Sequence, residues 1–181
     1  MAEILLSSEA FVKSVTSVSD NLSGKYILPS LREAQEVGLK RILGDALLDK
    51  LKGLVKQGQI KEDANKVYKQ LIDRCQYYLA YVAIVEVTNK TSYKIGNFGV
   101  TKSNDENQQV ATQDEIAKMQ YYYQSKADAC CYELQNWLLE NRKSFPELSD
   151  NDCRRISSNL YSAATCGIFL GGARGKRRCG R

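Results

Sequence analysis

The stretch from about Glu62 to Asn89 limits most strongly what this chain can become, because Ala64, Val67, Tyr68, Leu71, Cys75, Tyr78, Leu79 and Val82 recur in it at helical spacing. Steps of three and four residues are the period of an α-helix. At ~1.5 Å per residue such a helix reaches about 40 Å, longer than a compact domain of this size needs. Its last turns, "YLAYVAIVEV", are apolar almost all round, which predicts burial on more than one side, by its own domain or by a neighbour.

A second long helix is signalled by Thr112 with Glu115, a capping box, followed by a stripe of Ile116, Met119, Tyr123, Ala127, Cys130, Leu134, Trp137, Leu138 and Asn141 that runs to about Lys143. The two long helices should pair antiparallel. Shorter elements surround them. Ser7-Ser8-Glu9 opens a short N-terminal element ahead of Ala10, Phe11 and Val15. Ser30 with Glu33, just after Pro29, predicts a capping box and a helix from about Leu31 to Gly44, and Asp45 is expected to cap a helix with Leu47, Leu48, Leu51, Leu54 and Val55 on one side and Gly58 as its end. Beyond Pro146, Ser149 with Asp152 predicts a short helix through Tyr161, and "TCGIFLGG" reads as a short strand. The fold class expected is mainly α: an antiparallel long-helix bundle with a projecting hairpin or loop, a short C-terminal strand and a basic tail. Residues 1–170 form one helical domain with an arm at 92–113, and 171–181 form the tail.

The segment between the long helices, Ser92 to Gln113, is polar and rich in Gly and Asn. Within it "YKIGNFGVTK" alternates weakly around Gly96-Asn97 and Gly99, the pattern of a small β-hairpin, and the flexible "SNDENQQ" follows. A connection this long in a compact domain tends to be functional or disordered. The functional reading is a contact arm between subunits formed by Ile95, Asn97, Phe98 and Val100, with Phe98 as an apolar anchor.

Charge is concentrated at one end. The final "GGARGKRRCGR" holds Arg174, Lys176, Arg177, Arg178 and Arg181 and no acid, and setting those five apart from the 26 basic residues leaves 21 against 21 acidic ones. A basic terminal segment binds phosphates without sequence readout, or lies on an acidic protein surface where Arg forks carboxylates. No basic-then-apolar leader and no run of eighteen apolar residues occurs, which predicts a chain that stays where it is made and does not span a membrane.

Chemistry is sparse. The chain has no histidine, the commonest general base and metal ligand. Its six cysteines, at 75, 130, 131, 153, 166 and 179, show no C-x-x-C pair and read as reduced core thiols. Cys130 and Cys131 are turned about 100° apart on the predicted helix, unsuited to sharing a metal. Asp105 and Glu106 lie in a polar run and read as solvated, and "GGARGK" lacks the glycine spacing of a phosphate-binding loop. No enzyme activity and no cofactor are expected.

The series "AQEVGLKRILGDALLDKL", a long tyrosine-bearing helix, then "NFGVTKSNDENQQVATQDEIAKMQYYYQSKADACCYELQNWLLENRKSFPEL" resembles the small head–tail connector proteins of tailed bacteriophages, in particular the adaptor or ring proteins of crAss-like phages and related prophages. The resemblance spans roughly residues 27 to 148, and "ILGDALLDKL" and "FGVTKSNDENQQVA" are its most specific pieces. It implies structural work without an active site. Subunits would form a homo-oligomeric ring, twelvefold as is usual in that family, under the portal protein, extend the DNA channel without sequence-specific contact, and offer the tail or further rings a docking surface. The expected place is the virion neck, and the host cytoplasm during assembly. On this reading Ile168, Phe169 and Leu170 would add a strand to a neighbouring sheet, and Arg174, Lys176, Arg177, Arg178 and Arg181 would dock on acidic portal or ring surface or else face the packaged DNA in the lumen, with docking preferred because dense positive charge in the lumen would slow DNA passage. The alternative is a helical protein that binds nucleic acid without sequence preference through its basic tail.

Overall fold

The structure is a computed structural model that describes residues 4–96, 99–102, 111–149 and 152–157, with 92–96 and 99–102 described by their backbone. The described residues are mainly helical.

Helix α1, Glu9–Val15, starts where Ser8 accepts a hydrogen bond from the Phe11 N–H, as the Ser7-Ser8-Glu9 signal predicts. Helix α2, Gly24–Glu33, corrects the reading of Ser30 and Glu33 as a capping box. The chain is already helical at Gly24, capped by Ser23, and Pro29 lies inside the helix. Ser30 is buried and its hydroxyl donates back to the Tyr26 carbonyl, while Glu33 pairs with Lys90 at 3.1 Å. The physical reason is packing: Ile27 and Leu31 are buried on either side of Pro29, and that burial outweighs the one ladder bond a proline cannot make.

The same helix runs on through a π-helical stretch, Ala34–Leu39, into α3, Lys40–Leu43. The wider turn brings Gly38 so close to Tyr78 that a Cβ there would lie 2.6 Å from the tyrosine hydroxyl. It also carries Gln35, whose buried amide holds the N-terminal segment: Oε1 accepts from the Leu6 N–H at 2.9 Å and Nε2 donates to the Ile4 carbonyl at 3.0 Å. A side chain there does what a neighbouring strand would do, and Gln76 adds a bond to the Leu6 carbonyl.

Gly44 ends α3 with φ +81°, and the Asp152 carboxylate packs 3.2 Å from where a Cβ would stand. Asp45 is the first residue of α4, Asp45–Lys56, rather than its cap, and its carboxylate pairs with Lys40 at 2.9 Å. Leu47, Leu48, Leu51 and Leu54 are buried along α4, with Val55 packed beside them. Gly58 closes the helix at φ +71°. Two 3-10 turns, Gln59–Lys61 and Asp63–Asn65, then delay the long helix predicted from Glu62, so that α5 spans Lys66–Ser92 and Ala64 is exposed.

Every residue from Tyr78 to Val87 of α5 is buried or half-buried, as its all-round apolarity predicts. The coverage comes from α1, α2, the π stretch and α6, Gln113–Glu140. Thr112 and Glu115 form the reciprocal capping box at the start of α6. Pairs along α5 and α6 run in opposite order: Asn89 meets Gln120 at 2.7 Å, Tyr81 stacks on Tyr123, and Arg74 lies over Trp137.

Below that pair, buried Phe145 meets Tyr68 edge-on and tilts against Trp137, and the Tyr68 hydroxyl donates to Glu147 at 2.9 Å. Ser149 and Asp152 bond reciprocally as a cap for α7, 152–157, whose Cys153 and Ile156 complete the core. At the other end of the pair, strands β1, Tyr93–Gly96, and β2, Gly99–Lys102, form an antiparallel hairpin in the register Tyr93↔Lys102, Ile95↔Val100. The strand predicted in "TCGIFLGG" lies outside the described residues.

Candidate functional site

Three consecutive tyrosines cannot all face inward on a helix, because each step turns the side chain by about 100°. In α6 Tyr123 takes the inward position: it is buried, stacks on Tyr81, and its hydroxyl meets Ser17 Oγ at 2.6 Å and the Ser17 N–H at 3.0 Å. Tyr121 and Tyr122 are left outside, 76% and 53% exposed. Met119 at 43% and Tyr132 at 46% join them, so four of the molecule's large exposed apolar side chains stand on one helix. Tyr121 and Tyr132 are separated by about three turns and share one side, with exposed Ser125 and Ala129 between them. Small residues between two tyrosines allow another helix to approach closely. Lys126 lies 4.5 Å from the Tyr122 ring and 5.4 Å from that of Tyr81, which tethers the edge of this face by cation–π attraction and raises the ammonium pKa, chiefly through its contact with Tyr122.

The hairpin continues directly from the last residue of α5, so it stands at the end of the helix pair where Asn89 and Gln120 meet. Of the predicted arm, Ile95 and Val100 are brought opposite each other across the two strands. Asn97 and Phe98 lie outside the described residues, as do Ile168, Phe169 and Leu170, the tail residues Arg174, Lys176, Arg177, Arg178 and Arg181, and Asp105 and Glu106. The tyrosine face is what sequence reasoning missed, and the triplet Tyr121-Tyr122-Tyr123 was the signal that carried it.

The described cysteines are free thiols. Burial pushes the pKa of Cys75 up, raises that of Cys131 to about 11, and raises that of Cys130, so all three are held protonated at neutral pH. Among the described residues no cluster of three or more His, Cys, Asp or Glu side chains has a metal-binding arrangement. No helix among them is long and apolar enough to cross a membrane.

No curated protein and no solved structure matches the chain. A family model does match, over residues 39–158, from the end of the π stretch through α4, α5, the hairpin and α6 to just beyond α7. That span includes both long helices, the tyrosine face and the connection between them. The chain belongs to this family, described as a family of unknown function (DUF6712).

Proposed function

We propose that the protein is a non-enzymatic virion assembly protein, a subunit of a head-to-tail connector ring that docks on the portal, extends the DNA channel and links it to the tail. The observation that carries the reading is the outward face of α6, where Tyr121 and Tyr132 share one side with Tyr122 beside them, exposed along a helix whose other side packs on the core. An exposed aromatic face of this kind, rimmed by polar residues, marks a protein interaction surface. Its occupant in this reading is a second copy of the chain, repeated around a closed ring. The finer architecture belongs to the same proposal: an antiparallel bundle with the hairpin as an arm reaching along the ring, a C-terminal strand at Ile168–Leu170 added to a neighbour, and a basic tail on acidic portal or ring surface. Twelve copies would match the portal. The ring would work in the virion neck, after assembly in the host cytoplasm.

The second reading, sequence-independent nucleic-acid binding, is favoured by the acid-free run of Arg174, Lys176, Arg177, Arg178 and Arg181. Sedimentation with portal rings encoded by the same genome separates the two. With nuclease present, a ring subunit co-sediments stoichiometrically. The nucleic-acid reading predicts instead no portal binding and an association with DNA that nuclease or salt removes.

A further inference from the structure

Between α5 and α6 lies an open groove of about 580 Å³ lined by Gln70, Asp73, Arg74, Tyr77, Cys130, Glu133 and Leu134. Leu134 is buried and Cys130 half-buried, so with the Tyr77 ring they make an apolar floor. Phe11 of α1 meets the Tyr77 ring edge-on at 5.2 Å. Arg74, the groove's own cation, is turned onto the Trp137 ring at 5.0 Å. Asp73 and Glu133 are exposed carboxylates with no ion-pair partner among the described residues. The groove thus offers a short apolar trough with unmatched negative charge at its rim.

One segment of the chain has the complementary composition. "GIFLGGARGKRR", residues 167–178, is an apolar triplet followed within a few residues by four cations and no acid. Gln70 to Tyr77 spans about 10 Å of helix, the length of about three extended residues. We propose that this groove is the docking site of the chain's own C-terminal segment, with Ile168, Phe169 and Leu170 on the floor and the basic run following it against Asp73 and Glu133. The reach is ample. Helix α7 ends beside Leu139 and Arg142, about 9 Å along α6 from Glu133, whereas the ten residues from 158 to 167 extend up to about 35 Å. The assignment stands on the groove and the tail alone and concerns the free subunit: docking here and strand addition to a neighbour use the same residues and exclude each other, so assembly by strand addition would first have to release the segment.

The chain carries its own reporter, because Cys130 lines the groove and Cys166 precedes Ile168 by two residues. Dilute full-length protein is oxidised mildly, alkylated, digested, and its linked peptides are identified by mass, with a non-reducing gel to separate intrachain from interchain links. The expected result is a Cys130–Cys166 link within one chain as the most abundant linked pair, falling about tenfold in the Asp73→Lys/Glu133→Lys variant and falling as salt rises. Both substituted positions are exposed, so the variant keeps its fold. Cys130 left unlinked, a link indifferent to charge reversal, or a link found only between chains would overturn the proposal.

Discussion

Helices α5 and α6 are almost the same length, 27 and 28 residues, yet they live in opposite surroundings. Over Tyr78–Val87 α5 is enclosed by α1, α2, the π stretch and α6, and no residue in that span is exposed. Helix α6 is packed on one side only, through Tyr123, Ala127, Leu134, Gln135 and Leu138, and leaves Tyr121, Tyr122 and Tyr132 exposed. The lesson is that apolar content does not by itself report burial: α5 uses its apolar residues to hold one chain together, while α6 keeps part of its own in reserve.

That contrast can be broken most forcefully from the α5 side. Leu79 is 1% exposed in the middle of the enclosed span, and Leu79→Ala should cost about 3 kcal/mol through lost burial and a residual cavity. Chemical denaturation would read it as a lower midpoint with an unchanged slope. Next in size is Gly38→Ala, whose new methyl meets the Tyr78 hydroxyl and should cost about 2 kcal/mol by overpacking. Tyr78→Phe in the same chain removes the clashing oxygen, so a double-mutant cycle should recover a large part of the loss. Purely additive values would show that Gly38 is not held by that contact.

A smaller effect belongs to the start of α6. Thr112→Ala should cost about 1 kcal/mol by unpairing the cap. Hydrogen bonds from the Thr112 backbone N–H and hydroxyl hold the Glu115 carboxyl below its ordinary pKa. A depressed folded-state pKa means stability that is present above the ordinary carboxylate range and lost as pH falls through the depressed value. The thermal midpoint of the wild type should therefore exceed that of Glu115→Ala at neutral pH, and the gap should close in acid. Smallest for the single chain is Tyr121→Ala together with Tyr132→Ala, within about 0.5 kcal/mol of wild type because both side chains are exposed. A loss as large as that at Leu79 would mean that this face is packed against the chain's own residues.

Local chemistry was legible in the sequence. The Thr112 and Ser149 capping boxes, the α4 leucine stripe, Gly44 and Gly58 as stops and the hairpin around Gly96-Asn97 all follow from patterns spanning a few residues. What escaped depends on partners far along the chain. Pro29 reads as a boundary until Ile27 and Leu31 are seen to be buried. Gln35 carries no local signal, because its amide clamps Ile4 and Leu6, some thirty residues earlier. Nothing local announces the π turn that carries it, because its benefit lies in fitting Gly38 against Tyr78. The candidate surface was half legible: the tyrosine triplet required some rings to face outward, but which ones depends on where α5 lies.

In the proposed function the outward face of α6 is held for a second copy of the chain. The most direct test is the mass of the complex formed on isolated portal rings, by native mass spectrometry, for the wild type and for Tyr121→Lys/Tyr132→Lys. The wild type should form a closed ring of subunits on the portal. The variant should be folded and monomeric, with few or no subunits bound. A variant that assembles the same ring with the same occupancy would contradict it.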